Sequence, residues 1–324
     1  MGFISAATGR LGQAMVLLFV MSLIGFVGVH SVGNPVFNIV NMETASADDI
    51  RNATIALGLD QPLWRQYLIF AKSLLTGSFG TSYIYHLPAF ALVMSKLPAT
   101  LELASLAMLV AAPTGVLLGL LAGRRQGSFL DRVILRASVF ALSVPSFWLS
   151  MVLILAGAVL TGWLPSGGRG ETGHALGLEW SFLTTNGLQH LVLPALALAI
   201  PNVALIARLA RAGTVEVESL DFTRFCHAKG LSSARILFRH TLPNISVPIV
   251  TVIGLQFGAM LAFAVVVETI FAWPGVGKLL IDSIQLLDRP VVMATLTFVS
   301  VTFVVLNALV DLFHAALDPR IRYS

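Results

Sequence analysis

Apolar residues occupy nearly every helical position along six stretches: Leu11–Val32, Leu101–Ala122, Ala137–Thr161, Leu188–Ala207, Ile245–Val267 and Val291–Val310. A helix rises about 1.5 Å per residue, so roughly 20 such residues cross the ~30 Å hydrocarbon core of a bilayer. A helix on a soluble protein keeps a polar face, and these keep none. The pattern predicts an all-α polytopic membrane protein with six transmembrane helices. The first stretch reads as an uncleaved anchor, because only Arg10 flanks it, its run exceeds an ordinary signal-peptide core and no A-x-A site follows.

Between the first two stretches, residues 33–96 carry helix punctuation. Ser46 is placed to cap a helix with Asp48 and Asp49 in its first turn and Gly58 at its end. Asp60 is placed to cap a second, with Pro62 just inside and Leu63, Trp64, Tyr67, Leu68 and Phe70 at helical spacing. This predicts a small helical cap outside the membrane. The chain then divides into residues 1–32 (N-terminus and first span), 33–96 (cap) and 97–324 (a five-helix core with a basic loop at 208–244).

Composition agrees: 56% of the 324 residues are hydrophobic and 11% charged, and mean hydropathy is +0.86. That excludes an ordinary soluble surface. The single cysteine, Cys226, excludes an intrachain disulfide. The net charge of +4 is explained by orientation. With both termini cytoplasmic, the inside holds Arg10, then Arg124, Arg125, Arg132 and Arg136, then Arg208, Arg211, Arg224, Lys229, Arg235 and Arg239, then Arg320 and Arg322, which is most of the 20 Lys and Arg. Nucleic acid is therefore not needed as a partner, and anionic lipid suffices.

Catalytic constellations are absent from the pattern. GVGKLL at Gly275–Leu280 lacks the first glycine of a phosphate loop and has Leu279 where Ser or Thr must meet magnesium. No two of the seven histidines recur at helical metal spacing, so no cofactor, metal or catalytic residue is expected in this chain. Glu102, in the first turn of the second apolar stretch, reads as an anchor complementing the helix dipole in preference to a substrate contact. Asn202, Gln256 and Asn307 serve equally to join helices or to line a path. The absence of a buried carboxylate or histidine relay argues against a secondary transporter, and the absence of a charged ring or filter loop against a self-contained channel. Gly115, Gly119 and Gly123, and Gly254 with Gly258, are spaced for close helix contact. Pro113, Pro145, Pro194, Pro201 and Pro248 are expected to kink four of the spans.

The segment Asp221–Asn244, DFTRFCHAKGLSSARILFRHTLPN, reads as two short helices: Asp221 caps the first, Gly230 ends it, and Ser232 caps a second that ends near Pro243. It resembles the EAA loop of bacterial ABC-importer permeases, EAA-x3-G-x9-I-x-L-P, with the glycine on Gly230 and the closing pair on Leu242 and Pro243. Arg224, Phe225 and Cys226 stand in place of EAA, and His240 in place of the isoleucine. The variant AKGLS at Ala228–Ser232 with RHTLPN at Arg239–Asn244 resembles the dipeptide/oligopeptide/nickel branch. Further resemblance lies in LGLDQPLWRQY at Leu57–Tyr67, GSFGTSY at Gly77–Tyr83, LPATLELA at Leu97–Ala104, SVPSFWL at Ser143–Leu149, VVVETIFAWPGVGKLL at Val265–Leu280 and LDPRIR at Leu317–Arg322. Ser78 and Asn34-Pro35 depart from the family's acidic residue and Asp-Pro.

The resemblance implies the type I importer permease fold in the bacterial inner membrane. It implies a second, homologous permease as heterodimer partner, two cytoplasmic ABC ATPases that bind the ATP and Mg, and a periplasmic solute-binding protein. It places Arg224, Phe225, Ala228, Lys229, Gly230, Leu231, Arg235, Leu237, Leu242 and Pro243 in the ATPase-docking loop. Glu268 and the Trp273-Pro274-Gly275 turn then become candidates, with Gln256 and Asn202, for the path or gate. Peptides are the expected cargo, with glutathione or nickel chelate as alternatives.

Overall fold

The computed structural model describes residues 46–175 and 177–317 continuously, together with residues 12, 15, 16, 19–28, 30, 33, 35, 36 and 40. Arg10, both ends of the first predicted span, Asn34, and the tail with Arg320 and Arg322 lie outside the described residues, as do the side chains of Asn307 and of 309–317.

The described chain is mostly helical. In order it forms α1 (Phe19–Gly28), α2 (Ala47–Ala56), α3 (Leu63–Thr76), α4 (Ala89–Arg124), α5 (Phe129–Ser143), and α6 (Ser146–Ile154), which widens into a π-helical turn at Leu155–Leu160. A two-stranded antiparallel hairpin follows, β1 (Gly173–Ala175) against β2 (Leu178–Trp180). Then come α7 (Thr185–Glu218), α8 (Asp221–Ala228), α9 (Ser233–Ile236), a π-turn at Leu237–Thr241, α10 (Leu242–Phe263), α11 (Val265–Ile270), α12 (Val276–Gln285) and α13 (Arg289–Leu317). Three described helices are long and apolar enough to cross a membrane: Ala89–Arg124, Thr185–Glu218 and Ser233–Ala262. A bent pair, α5 with the helix after it, makes a fourth if taken as one span.

Contacts divide the chain into two units, residues 1–100 with 274–304 and residues 101–273 with 305–324. In the first unit, Ala89, Leu92 and Val93 of α4 pack with Val276, Leu279, Val291 and Ala294. A second cluster joins Phe26 of α1 and Phe70 of α3 to Val292 and Met293. Ser82 Oγ and the Tyr83 N–H both donate to the fully buried Asp288 carboxylate, which closes the loop before α4 onto the start of α13.

In the second unit the glycine row works as its spacing predicts. A Cβ at Gly115 would meet Ile206, at Gly119 the Ala207 carbonyl and Ala210, and at Gly123 Thr214, all closer than 3.0 Å, so α4 and α7 approach backbone to backbone. Asp131 of α5 accepts from Arg211 of α7 at 2.5 and 2.8 Å and from the Gly127 N–H, tying the short loop between α4 and α5 to α7. Leu120, Ala210, Val217, Leu237, Ile245 and Ile249 form the core beside it.

Ser46 does cap α2: its hydroxyl accepts the Asp49 N–H while the Asp49 carboxylate accepts the Ser46 N–H, a reciprocal capping box. Asp60 does not cap α3. Pro62 occupies that position and its carbonyl accepts the first helical N–H groups, while the Asp60 carboxylate takes the Gln61 amide two residues too early. The third predicted span is not straight. Val144 is extended (φ −81°, ψ 124°), as the steric demand of Pro145 requires of its predecessor, and the two halves bend by 103°. Pro113, Pro194, Pro201 and Pro248 instead lie within helices that continue through them.

Candidate functional site

The basic loop stands on a buried base. Leu220, not Asp221, takes the N-cap of α8; Asp221 is the first helical residue, exposed, and 3.5 Å from Arg224. Thr223 is fully buried and its hydroxyl donates to the Val217 carbonyl at 2.8 Å. Cys226 faces the same way and is buried. These two residues anchor one face of α8 and turn the other outward.

Gly230 ends α8 as predicted, at φ +73°. The Leu231 N–H donates to the Cys226 carbonyl and the Gly230 N–H to that of His227, a Schellman stop that needs the left-handed conformation at its penultimate residue. A Cβ there would meet nothing within 4 Å, so the demand for glycine within this chain is one of backbone conformation, not space. The second half of the loop does not end near Pro243. Helix continues from Ser233 through the π-turn at Leu237–Thr241 into α10. The wider turn accommodates Pro243, whose missing N–H and bulky ring would break a regular α-helical ladder. Ser232 holds the cap position but makes no side-chain cap bond.

Exposure then sorts the loop residues. Leu237 is buried in the core cluster, and Leu231 and Leu242 are half-buried. Arg224, Phe225, Ala228, Lys229, Gly230, Arg235 and Pro243 are exposed. Phe225 is 60% exposed, with the Lys229 ammonium 4.5 Å from its ring centre. Phe222 and Phe238 are also exposed among these cations, and Arg239 joins them. The sequence expectation omitted Phe222 and Phe238; the signal for Phe222 is an aromatic beside Thr223 on the exposed side of α8, and Phe238, in the π-turn Leu237–Thr241, carries no comparable signal. The loop is thus a fixed platform of apolar rings in a positive field, suited to a soluble partner with an apolar groove and acidic rim.

The path and gate candidates fall on several elements. Asn202 in α7 donates its amide to the Leu198 carbonyl of its own helix at 2.8 Å, and Gln256 is half-buried in α10. Glu268 of α11 and Trp273 are fully buried. Pro274 and Gly275 belong to the other unit, where Gly275 precedes α12 and the Val276 N–H donates to Thr100 Oγ1 at 2.8 Å.

Trp273 ends a second Schellman stop: its N–H donates to the Glu268 carbonyl at 2.8 Å and the Ala272 N–H to Thr269, with Ala272 forced to φ +48°. The preceding carbonyl, Phe271, accepts the Gly168 N–H at 2.7 Å. Arg169 next to it lies 5.9 Å from the Trp273 ring centre. Its Nη2 donates to Glu102 at 2.9 Å and to the Glu179 carbonyl at 2.7 Å, and its Nε to Ser181 at 3.1 Å. Glu102 also accepts the Phe182 N–H at 2.9 Å. The sequence expectation for Glu102 is therefore corrected: α4 begins at Ala89, Glu102 lies well inside it, and its partner is Arg169, not a helix dipole.

Comparison with known proteins bears on both regions. Residues 115–323 match the family described as binding-protein-dependent transport system inner membrane component, and residues 4–104 match the N-terminal family of such membrane components. The chain is 36% identical to the di/tripeptide transport system permease protein DppB of Pseudomonas aeruginosa (strain UCBPP-PA14), covering 97% of this chain and 98% of that one. It is 34% identical to the dipeptide transport system permease protein DppB of Escherichia coli (strain K12), over 97% and 98%. It is 36% identical to the glutathione transport system permease protein GsiC of the same strain, over 95% of each.

Proposed function

Because the chain belongs to the binding-protein-dependent transport system inner membrane component family, a family of multi-pass permeases, we propose that it is a transmembrane subunit of an ATP-driven importer of di- or oligopeptides. In this reading six spans cross the inner membrane, both termini are cytoplasmic, and residues 33–96 form the periplasmic cap. A homologous permease completes the translocation path as a heterodimer, and a periplasmic binding protein delivers cargo. Two ATPase subunits bind ATP and Mg and grip the loop at Asp221–Asn244. Arg224, Lys229 and Arg235 meet acidic groups of the ATPase, Phe222 and Phe225 enter its groove, and Leu237 passes the motion to the α7–α10 core. Closure of the ATPases draws two such loops together, and the spans rock between inward- and outward-facing arrangements. Glutathione, itself a tripeptide, is the second reading, favoured by the similarity to the glutathione permease.

The observation that carries the docking role is the exposed aromatic and cationic face of α8, held rigid by buried Thr223 and Cys226 and stopped at Gly230. Gly230→Arg in the reconstituted transporter tests it. Insertion and yield are expected to persist, because the side chain enters open space and the left-handed conformation it must adopt costs about 1–2 kcal/mol at one exposed turn, while coupled ATPase activity and peptide uptake fall together. Unchanged uptake would sink the docking assignment. Competition of labelled dipeptide uptake by glutathione and by nickel chelates separates the cargo readings.

A further inference from the structure

In the first unit a cavity of about 180 Å³ is lined by the end of α1, the linker joining α2 to α3, α3 itself, the loop before α4 and the start of α13. We propose that this cavity binds a small carboxylate with an apolar body, its anionic group held by the Arg289 guanidinium and the Tyr83 hydroxyl and its hydrocarbon laid against Leu59, Ile69, Phe70 and Met293. The side of the membrane from which the anion enters rests on the permease reading; the site itself does not.

Most of the polar lining is committed elsewhere. His30 meets the Phe26 carbonyl through Nδ1 and the Gln66 side-chain oxygen through Nε2, both at 2.9 Å. The Gln66 amide donates to the Gln61 carbonyl and Ser73 Oγ to the Phe70 carbonyl, both at 2.7 Å. Two donors remain. Tyr83 bonds Asp288 through its backbone N–H, and its hydroxyl has no partner among the described residues. Arg289 donates from Nη2 to the Gly33 carbonyl at 2.8 Å, while its Nε is buried with no partner at all. A buried guanidinium N–H without an acceptor carries its whole desolvation cost, which a ligand oxygen recovers.

Charge gives the sign of the ligand. No acidic residue lines the cavity. Asp288, next to Arg289 in the chain, is fully buried and accepts from Ser82 Oγ and the Tyr83 N–H, so its oxygens are taken. A guanidinium holds a carboxylate through two parallel N–H bonds, and a small turn of Arg289 presents Nε with a terminal nitrogen as one such edge. The walls then choose among anions. Phosphate or sulfate must shed water to lie against hydrocarbon, whereas a carboxylate on an apolar body fills the same walls. The volume is below the ~300 Å³ of a drug-sized pocket, which suits one apolar side chain with its carboxylate and not an extended oligopeptide. The C-terminus of an apolar dipeptide and a free apolar acid share this chemistry. His30 lies near the Val32 end of the first apolar run and Arg289 just before the last run. With both termini cytoplasmic, those are the outer ends, the side on which cargo arrives.

The test is calorimetric titration of the full-length chain in phosphatidylcholine nanodiscs with alanyl-phenylalanine, its C-terminal amide, 3-phenylpropanoate and inorganic phosphate. The dipeptide acid is expected to bind about tenfold or more tightly than its amide, and Arg289→Gln to erase that preference. Tyr83→Phe should weaken the acid about 2–10-fold. Ile69→Glu, at a position 58% exposed, sets a carboxylate in the wall and should abolish binding of the acid while the thermal unfolding temperature stays near that of the wild type. Arg289→Gln also loses the Gly33 bond, so if it fails to fold the other two variants, which break no bond of the structure, decide. Equal binding of acid and amide would overturn the proposal, as would phosphate binding as tightly as the acid, wild-type affinity in both Tyr83→Phe and Ile69→Glu, or no heat with any ligand, which leaves water alone in the cavity. Binding of the dipeptide and not of 3-phenylpropanoate supports the site with peptide cargo as the source, and binding of both supports it for apolar carboxylates at large. No transport step is measured, so failure here leaves the importer reading standing, and failed uptake leaves this site standing.

Discussion

Arg169→Gln should release the segment between α6 and α7 without unfolding the helices. The Glu102 side chain is fully buried and that of Arg169 is 14% exposed, and removing one partner of such a pair costs about 3–5 kcal/mol because the other charge stays buried and unpaired. The loss falls mostly on this segment, since Arg169 also holds the Glu179 carbonyl and Ser181, and Glu102 holds the Phe182 N–H. At 1.4 kcal/mol per tenfold, amide exchange over Trp180–Thr184 should accelerate by roughly two to three orders of magnitude. Glu102→Gln should cost less, because the partly exposed Arg169 retains water and its carbonyl bond. The double variant Glu102→Gln/Arg169→Gln should exchange more slowly than Arg169→Gln alone, since no charge is then stranded. Hydrogen–deuterium exchange of the detergent-solubilised protein measures all three. Wild-type exchange in Arg169→Gln, or a double variant worse than the sum of the singles, would refute the assignment of this pair as the clasp.

Gly119→Ala places a Cβ 2.5 Å from the Ala207 carbonyl and Ala210 Cβ, contacts that only separation of α4 from α7 can relieve; thermal unfolding should register a loss of about 1–3 kcal/mol. Gly28→Ala, in α1 with nothing within 4 Å, should be neutral or stabilising by up to about 1 kcal/mol by the same measurement. The backbone and side-chain hydrogen bonds from Ser46 hold the Asp49 carboxyl below the usual carboxylate range. That lowered value means the capping box supports α2 above the unfolded-state pKa and weakens as pH falls through the folded one, so Asp49 amide exchange, corrected for intrinsic rate, should lose protection on acidification; Asp49→Asn should remove this pH dependence.

Local features were legible in the sequence. The Ser46 cap, the stop at Gly230 and the close-packed row at Gly115, Gly119 and Gly123 each depend on spacing along one helix or turn. Legibility failed where two signals competed within a few residues. Asp60 and Pro62 both bid for one helix start, and the proline carbonyl took it. Pro145 and Pro243 both threaten a helix, yet the first breaks its helix while the second sits beyond a π-turn that absorbs it. The loop was recognised by its motif spacing, but Phe222 and Phe238 were not, because their importance lies in being left uncovered.

The sequence by itself determined that this is a helical membrane permease with a basic, glycine-hinged loop, since apolar run length, charge placement and motif spacing are properties of the chain read in order. Only the tertiary structure decided that Glu102 pairs with Arg169, 67 residues away, that Asp131 pairs with Arg211, 80 away, and that Tyr83 and Arg289 line one cavity. Periodicity records how apolar each position is. Which distant group meets a buried charge, and which donor remains without a partner, depends on how helices pack.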